Sequence, residues 1–138
     1  MSGKRVLVVD DEPYILRSLC YVLRKEGYDV REARTGPEAL EAVRSEPPDL
    51  LFLDVMLPEV NGFDVCRQIR EDVRLSGVRI VMLTARGQDH ERSRAVGADL
   101  FMTKPFSPSK ILDVARGLTS GGTTAGATGD HHAEPLRP

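Results

Sequence analysis

The sequence predicts an α/β domain built on a parallel sheet with helices on both faces. Three observations carry this. Short apolar runs at Arg5–Asp10, Leu50–Asp54 and Arg79–Thr84 end abruptly in a polar residue and lack the polar alternation of a half-exposed strand. The segments between such runs repeat apolar residues at helical spacing. Turn and capping residues stand at most of the junctions. Alternation of this kind, with right-handed crossovers, calls for a parallel sheet covered on both sides.

In chain order, Arg5-Val6-Leu7-Val8-Val9-Asp10 is a buried strand ending in acid, followed at once by Asp11 and Glu12. Pro13 suits a first helical turn, and Ile15, Leu16, Leu19, Cys20, Val22 and Leu23 continue the helix until Gly27 stops it. Asp29 to Ala33 is a second short strand. Thr35 with Glu38 has capping-box spacing for a helix carrying Ala39, Leu40 and Val43, closed by Pro47-Pro48. Leu50-Leu51-Phe52-Leu53-Asp54 is the central strand. After the loop Met56–Val60, Asn61-Gly62 opens a helix whose inner face holds Phe63, Cys66 and Ile69.

Arg79–Thr84 is the fourth strand. The polar segment that follows reads as a helix from Gln88, with only Ala95 and Val96 to bury, so it is the element least anchored to the core. Gly97 caps it. Leu100-Phe101-Met102-Thr103 is a last strand ending at Lys104-Pro105, and Ser107-Pro108 starts a helix bearing Ile111, Leu112, Ala115 and Leu118. Five βα units result, with the flavodoxin-like strand order 2-1-3-4-5 expected.

With 138 residues, 41% of them apolar, the chain supports one domain over residues 1–118. Residues 119–138 turn to Gly, Thr and Ala without a hydrophobic period and are expected to be a disordered tail, His131-His132 included as solvated residues. A formal net charge of -2 gives no bulk attraction to nucleic acid or anionic lipid. The N-terminus is neither a signal peptide nor a membrane span, so a cytoplasmic protein is expected. Cys20 and Cys66 fall on apolar helical stripes and read as buried free thiols.

In that strand order Asp10 and Asp11, Asp54, Thr84 and Lys104 all lie at the carboxyl edge of neighbouring strands, where ligands bind in open α/β sheets. Two unit charges ~4 Å apart cost about 4 kcal/mol at an effective dielectric near 20, and one ammonium does not balance three carboxylates. The cluster should therefore hold a cation. Oxygen ligands with room for water and phosphate point to Mg²⁺, or Mn²⁺ in its place. Phosphoryl transfer to a carboxylate then becomes plausible, with Asp54 as nucleophile, Lys104 offsetting charge and the Thr84 hydroxyl donating to the transferred group. Taken singly, each residue has a plainer reading. Asp11 would cap a helix, Lys104 would be a solvated charge, Thr84 a strand end, and Phe101 a core residue.

These residues resemble the receiver domain of two-component response regulators. The matching motifs are Val8-Val9-Asp10-Asp11-Glu12-Pro13, Leu53-Asp54-Val55-Met56-Leu57-Pro58 with Asn61-Gly62, Leu83-Thr84-Ala85, and Gly97-Ala98-Asp99 through Lys104-Pro105-Phe106. Their order and βα spacing make the match specific over about residues 4 to 118. The resemblance implies a phosphoacceptor, not a turnover enzyme, that transfers a phosphoryl group to Asp54 from a sensor histidine kinase or a histidine phosphotransfer protein and later loses it by autodephosphorylation. It implies Mg²⁺ held by Asp11 and Asp54, with Asp10 assisting through water and the Met56 backbone carbonyl completing the set. It further implies a switch made of Thr84 and Phe101, the ring turning in from solvent, and a cis Lys104-Pro105 bond.

Two other classes fit less well. A haloacid-dehalogenase-like phosphohydrolase needs a second Asp two residues after the nucleophile, where Met56 stands, and an FMN-binding flavodoxin needs a Gly/Ser/Thr-rich loop where Asp10-Asp11-Glu12 stands. The expected role is a stand-alone receiver or phosphorelay shuttle acting on a downstream protein, without direct nucleic-acid or membrane contact. The alternative is a receiver fragment of a DNA-binding response regulator. That branch dimerises through charge pairs on the face of the fourth helix, fifth strand and fifth helix, where Leu100, Lys110 and Val114 are expected here and depart from the charged pattern.

Overall fold

A computed structural model of the chain describes residues 3–85 and 94–119, and the backbone of 133–135. Strands β1 (Arg5–Val9), β2 (Asp29–Ala33), β3 (Leu50–Asp54), β4 (Arg79–Thr84) and β5 (Leu100–Thr103) run parallel in the order β2-β1-β3-β4-β5. The expected topology is the observed one. Helices α1 (Pro13–Lys25), α2 (Gly36–Ser45), α3 (Gly62–Arg70) and α4 (Pro108–Thr119) connect or follow the strands, with a 3₁₀ turn at Val73–Leu75.

Every residue of β3 is buried, because both faces of the sheet are covered. Alternate residues supply two cores. Leu7, Val9, Leu51, Leu53, Ile80 and Met82 meet Ala39 and Val43 of α2 and Cys66 and Ile69 of α3. Val6, Val8, Leu50, Phe52, Val81 and Leu83 meet Leu16, Leu19 and Leu23 of α1 and Ile111, Ala115 and Leu118 of α4. The continuous apolar runs of the sequence are this period of two, filled on both sides.

The caps follow the sequence. Thr35 Oγ1 accepts from Glu38 N–H at 3.2 Å, and Glu38 reaches back to Arg34 N–H at 2.9 Å, one residue before the usual partner. Asn61 accepts from Asp64 N–H at 3.0 Å at the start of α3. Gly27 and Gly97 hold the positive φ angles, 100° and 92°, that let the chain leave a helix sharply. Cys20 and Cys66 are buried free thiols, and burial, reinforced by Glu32, pushes the Cys20 thiol up to about 12.

Three expectations change. Leu100 and Val114 are core residues, 6% and 2% exposed, so they do not lie on an outer face. The apolar stripe of α4 passes through Ile111, Val114, Ala115 and Leu118, leaving Asp113 and Arg116 exposed, and Arg116 pairs with Asp113 and with Glu26, the residue just after α1. Within the region expected to lack structure, Ala133–Pro135 forms β6, antiparallel to β5 at the sheet edge. An edge strand offers unpaired backbone groups to any extended segment, whatever its side-chain pattern, so hydrophobic periodicity does not foretell such pairing. Most of the polar helix expected from Gln88, together with His131-His132, lies outside the described residues.

Candidate functional site

The carboxyl edge of the sheet gathers the charged strand ends. Asp10 leaves β1 fully buried, its N–H bonded to Ala33 O, and its Oδ1 accepts from Glu12 N–H at 2.9 Å. This bond turns the chain toward α1, whose N-cap residue is Glu12, without a side-chain cap bond, and not Asp11. Asp11 is exposed beside it. Asp54 ends β3, 4% exposed, and its Oδ1 accepts from Met56 N–H at 3.3 Å. Carboxylate oxygens of Asp10, Asp11 and Asp54 lie within 4.8 Å of one another.

Opposite them, Lys104 follows β5. Its N–H donates to Thr84 O at 2.7 Å, tying the ends of β4 and β5 together. The ammonium lies 3.1 Å from Asp10 Oδ2 and 3.4 Å from Asp54 Oδ1. The Lys104-Pro105 bond is cis. Thr84 is the buried last residue of β4, and the Met56 side chain is exposed at the mouth of the site. Phe101 lies within the α2/α3 core, in register with Met82, so the ring is already inward in this structure.

The loop that closes the site depends on Gly62. A methyl there would lie 2.2 Å from the Asp54 carbonyl oxygen, while Gly62 N–H donates to Val55 O at 2.9 Å. The sequence offered Gly62 only as a helix-opening residue; its position directly after the capping Asn61 was the available signal. Equally unforeseen is the burial of Asp99, which accepts from Ile80 N–H at 2.8 Å and from Arg70 at 2.9 Å.

Burial raises the Asp54 carboxyl to about 6, with the neighbouring Asp10 charge adding to it and Lys104 opposing. Burial acts to lower the Lys104 ammonium, but the carboxylates of Asp54 and Asp10 outweigh it and the net shift is upward. One cation thus serves two buried anions. Asp10 Oδ2 pairs with the Lys104 ammonium at 3.1 Å and the same ammonium also serves Asp54, so an all-oxygen set of three carboxylates faces a single positive charge there. A hard divalent cation fits that deficit.

An open parallel α/β sheet with an acidic cluster facing a lysine at its carboxyl edge defines a class of signalling module. The profile of the response regulator receiver domain matches residues 6–116, and the chain belongs to that family, the receivers of two-component signal transduction. The chain is 46% identical over 111 residues to the alkaline phosphatase synthesis transcriptional regulatory protein PhoP of Bacillus subtilis, covering 79% of this chain and 45% of that one. It is 48% identical to the DNA-binding response regulator MtrA of Mycolicibacterium smegmatis, over 79% of this chain and 47% of that one. The chain therefore spans about half the length of these curated relatives. Among solved structures, a response regulator from Chloroflexus aurantiacus superposes with a TM-score of 0.82 at 32% identity, covering 86% of this chain and 99% of that one. The chemotaxis response regulator CheY4 of Vibrio cholerae gives 0.81 at 29% identity, covering 85% and 99%.

Since MtrA is described as DNA-binding, the expectation of a protein without nucleic-acid contact gains no support from such relatives. Among the described residues, no helix is long and apolar enough to cross a membrane.

Proposed function

We propose that this receiver accepts a phosphoryl group on Asp54 from the phosphohistidine of a sensor histidine kinase or histidine phosphotransfer protein. The carrying observation is the buried Asp54 carboxylate at the end of β3, grouped with Asp10 and Asp11 and facing Lys104 at 3.4 Å. In the transfer, an Asp54 oxygen forms the new O–P bond as the P–N bond to the donor imidazole breaks. The electron pair stays on the imidazole nitrogen, which takes up a proton.

Asp11, Asp54 and the Met56 carbonyl would hold Mg²⁺, or Mn²⁺ in its place, with Asp10 assisting through water; the ion, when bound, offsets charge on the transferring oxygens. Lys104 offsets charge from the opposite side and pairs with the acyl phosphate. The Thr84 hydroxyl donates to the arrived group, and Thr84 with Phe101 forms the switch. The Phe101 ring is already inward in this structure, so its burial, worth about 1.5–3 kcal/mol, already favours the inward state and falls short of the about 5.5 kcal/mol that moving a two-state equilibrium from 1:99 to 99:1 needs. The protein acts as a phosphoacceptor that loses the group by autodephosphorylation, and its output is a change in protein contacts.

A second reading, a receiver belonging to a DNA-binding regulator, is favoured by the relatives called DNA-binding. Phosphorylation-dependent dimerisation in light scattering would support it over a stand-alone shuttle.

The test is treatment with acetyl phosphate, with and without Mg²⁺, on the native protein and on Asp54→Ala, read by intact mass. A magnesium-dependent phosphoryl adduct absent from Asp54→Ala is expected. No adduct on folded native protein would withdraw the phosphotransfer role of Asp54.

A further inference from the structure

Gly36, the first residue of α2, is buried against the loop between β3 and α3. A methyl on its Cα would lie 2.2 Å from the Val60 carbonyl oxygen and 2.6 Å from Val60 Cβ. Both distances are shorter than van der Waals contact permits, and the nearer atom is backbone, so no side-chain rotation relieves the clash. Alanine in the first turn of a helix ordinarily stabilises by restricting the unfolded chain. Here the neighbouring loop forbids it.

That loop is the one connecting Asp54 to α3. Met56 N–H bonds Asp54 Oδ1 at 3.3 Å at its start, and Val60 N–H bonds Pro58 O at 2.8 Å across Glu59, whose φ is 70°. Gly62 N–H closes it onto Val55 O at 2.9 Å. The turn is held at both ends, by Met56 N–H on Asp54 Oδ1 and by Gly62 N–H on Val55 O, and α2 lies against Val60 on its outer limb.

We infer that Gly36 is a positioning residue for the cation site: by letting α2 seat directly on Val60, it sets where the Met56 carbonyl stands relative to the Asp54 carboxylate. The inference rests on the proposed Mg²⁺ site and adds a contact, from a helix that supplies no ligand, on which the geometry of that site depends. Partners that orient the ligands of a metal commonly cost 10–100-fold in affinity when altered, roughly the scale expected here.

The experiment titrates Mg²⁺ alone, without a phosphodonor, into the full chain by calorimetry, and measures thermal melting in chelator alongside. Gly36→Ala is compared with Gly77→Ala, a turn glycine where an added methyl would meet nothing within 4 Å. The expected result is Mg²⁺ binding weakened about tenfold in Gly36→Ala and unchanged in Gly77→Ala. Should Gly36→Ala fail to fold, Val60→Gly removes the side chain that α2 rests on, leaving only the carbonyl, at a half-buried position, and weakening in the same direction is expected. A folded variant that melts lower yet binds Mg²⁺ as the native protein does would mean that α2 yields and the loop does not, overturning the inference. Native protein that binds no Mg²⁺ would instead remove the proposed cation site itself.

Discussion

Arg70 on α3 donates through one amino group to Asp99 Oδ2 at 2.9 Å and through Nε to Gly97 O at 2.8 Å. The same Asp99 oxygen accepts from Ile80 N–H at 2.8 Å, and Cys66 Sγ, one turn before Arg70, lies 3.4 Å from Val96 O. Two side chains of α3 thus grip the two carbonyls that precede β5. A carboxylate 7% exposed and a guanidinium 15% exposed make this a pair largely withdrawn from water.

Removing one partner of such a pair strands the other. Arg70→Met is expected to cost about 3 kcal/mol in urea unfolding, and Arg70→Lys to recover little, because an ammonium does not reproduce two forked bonds to Gly97 and Asp99. Equal stabilities for native and Arg70→Met proteins would show that Arg79, 3.8 Å from Asp99, takes over the pairing.

The Asp54 carboxyl makes metal-free stability depend on pH. Its folded value near 6 lies above the ordinary 3.8, so the native state holds the proton more tightly than the unfolded chain does. The favourable contribution is present below about 3.8 and is lost as pH rises through about 6. In chelator at pH 7, Asp54→Asn should therefore melt above the native protein, by at most about 3 kcal/mol of stability. The two proteins should converge near pH 4. A variant less stable than native at pH 7 would contradict the sign.

Lys104 opposes the upward shift of Asp54. Lys104→Met should move the Asp54 titration further up, followed by carboxyl-carbon chemical shifts in metal-free buffer. An unmoved titration would mean that the ammonium contributes little across the 3.4 Å gap.

Gly62→Ala places a methyl 2.2 Å from the Asp54 carbonyl oxygen and 2.9 Å from Val55 Cα, both backbone atoms. Overpacking of this kind typically costs 1–3 kcal/mol, and about 3 kcal/mol is expected here in urea unfolding. A loss below 1 kcal/mol, within what the exchange of glycine for alanine does elsewhere, would show that the start of α3 shifts freely.

The local chemistry of the chain determined its strands, its caps and the polar residues that end each strand. An apolar run ending in Asp54 or Thr84 records burial followed by exposure to a crevice, and that information lies within a few residues. Alternation and crossover handedness narrow the possible orders, and the flavodoxin-like order expected among them brings Asp10, Asp11, Asp54, Thr84 and Lys104 to one edge.

Tertiary structure alone decided how closely segments distant in sequence approach. It set Lys104 nearer to Asp10 than to Asp54, pressed Gly36 onto Val60, locked Arg70 to Asp99, and turned α4 so that Val114 faces inward and Asp113 outward. The phase of an apolar stripe is ambiguous by one residue where Leu112, Val114 and Ala115 are all apolar, and only the sheet beneath selects among them. The pairing of β6 with β5 is likewise a backbone event at a sheet edge, to which side-chain periodicity carries no signal.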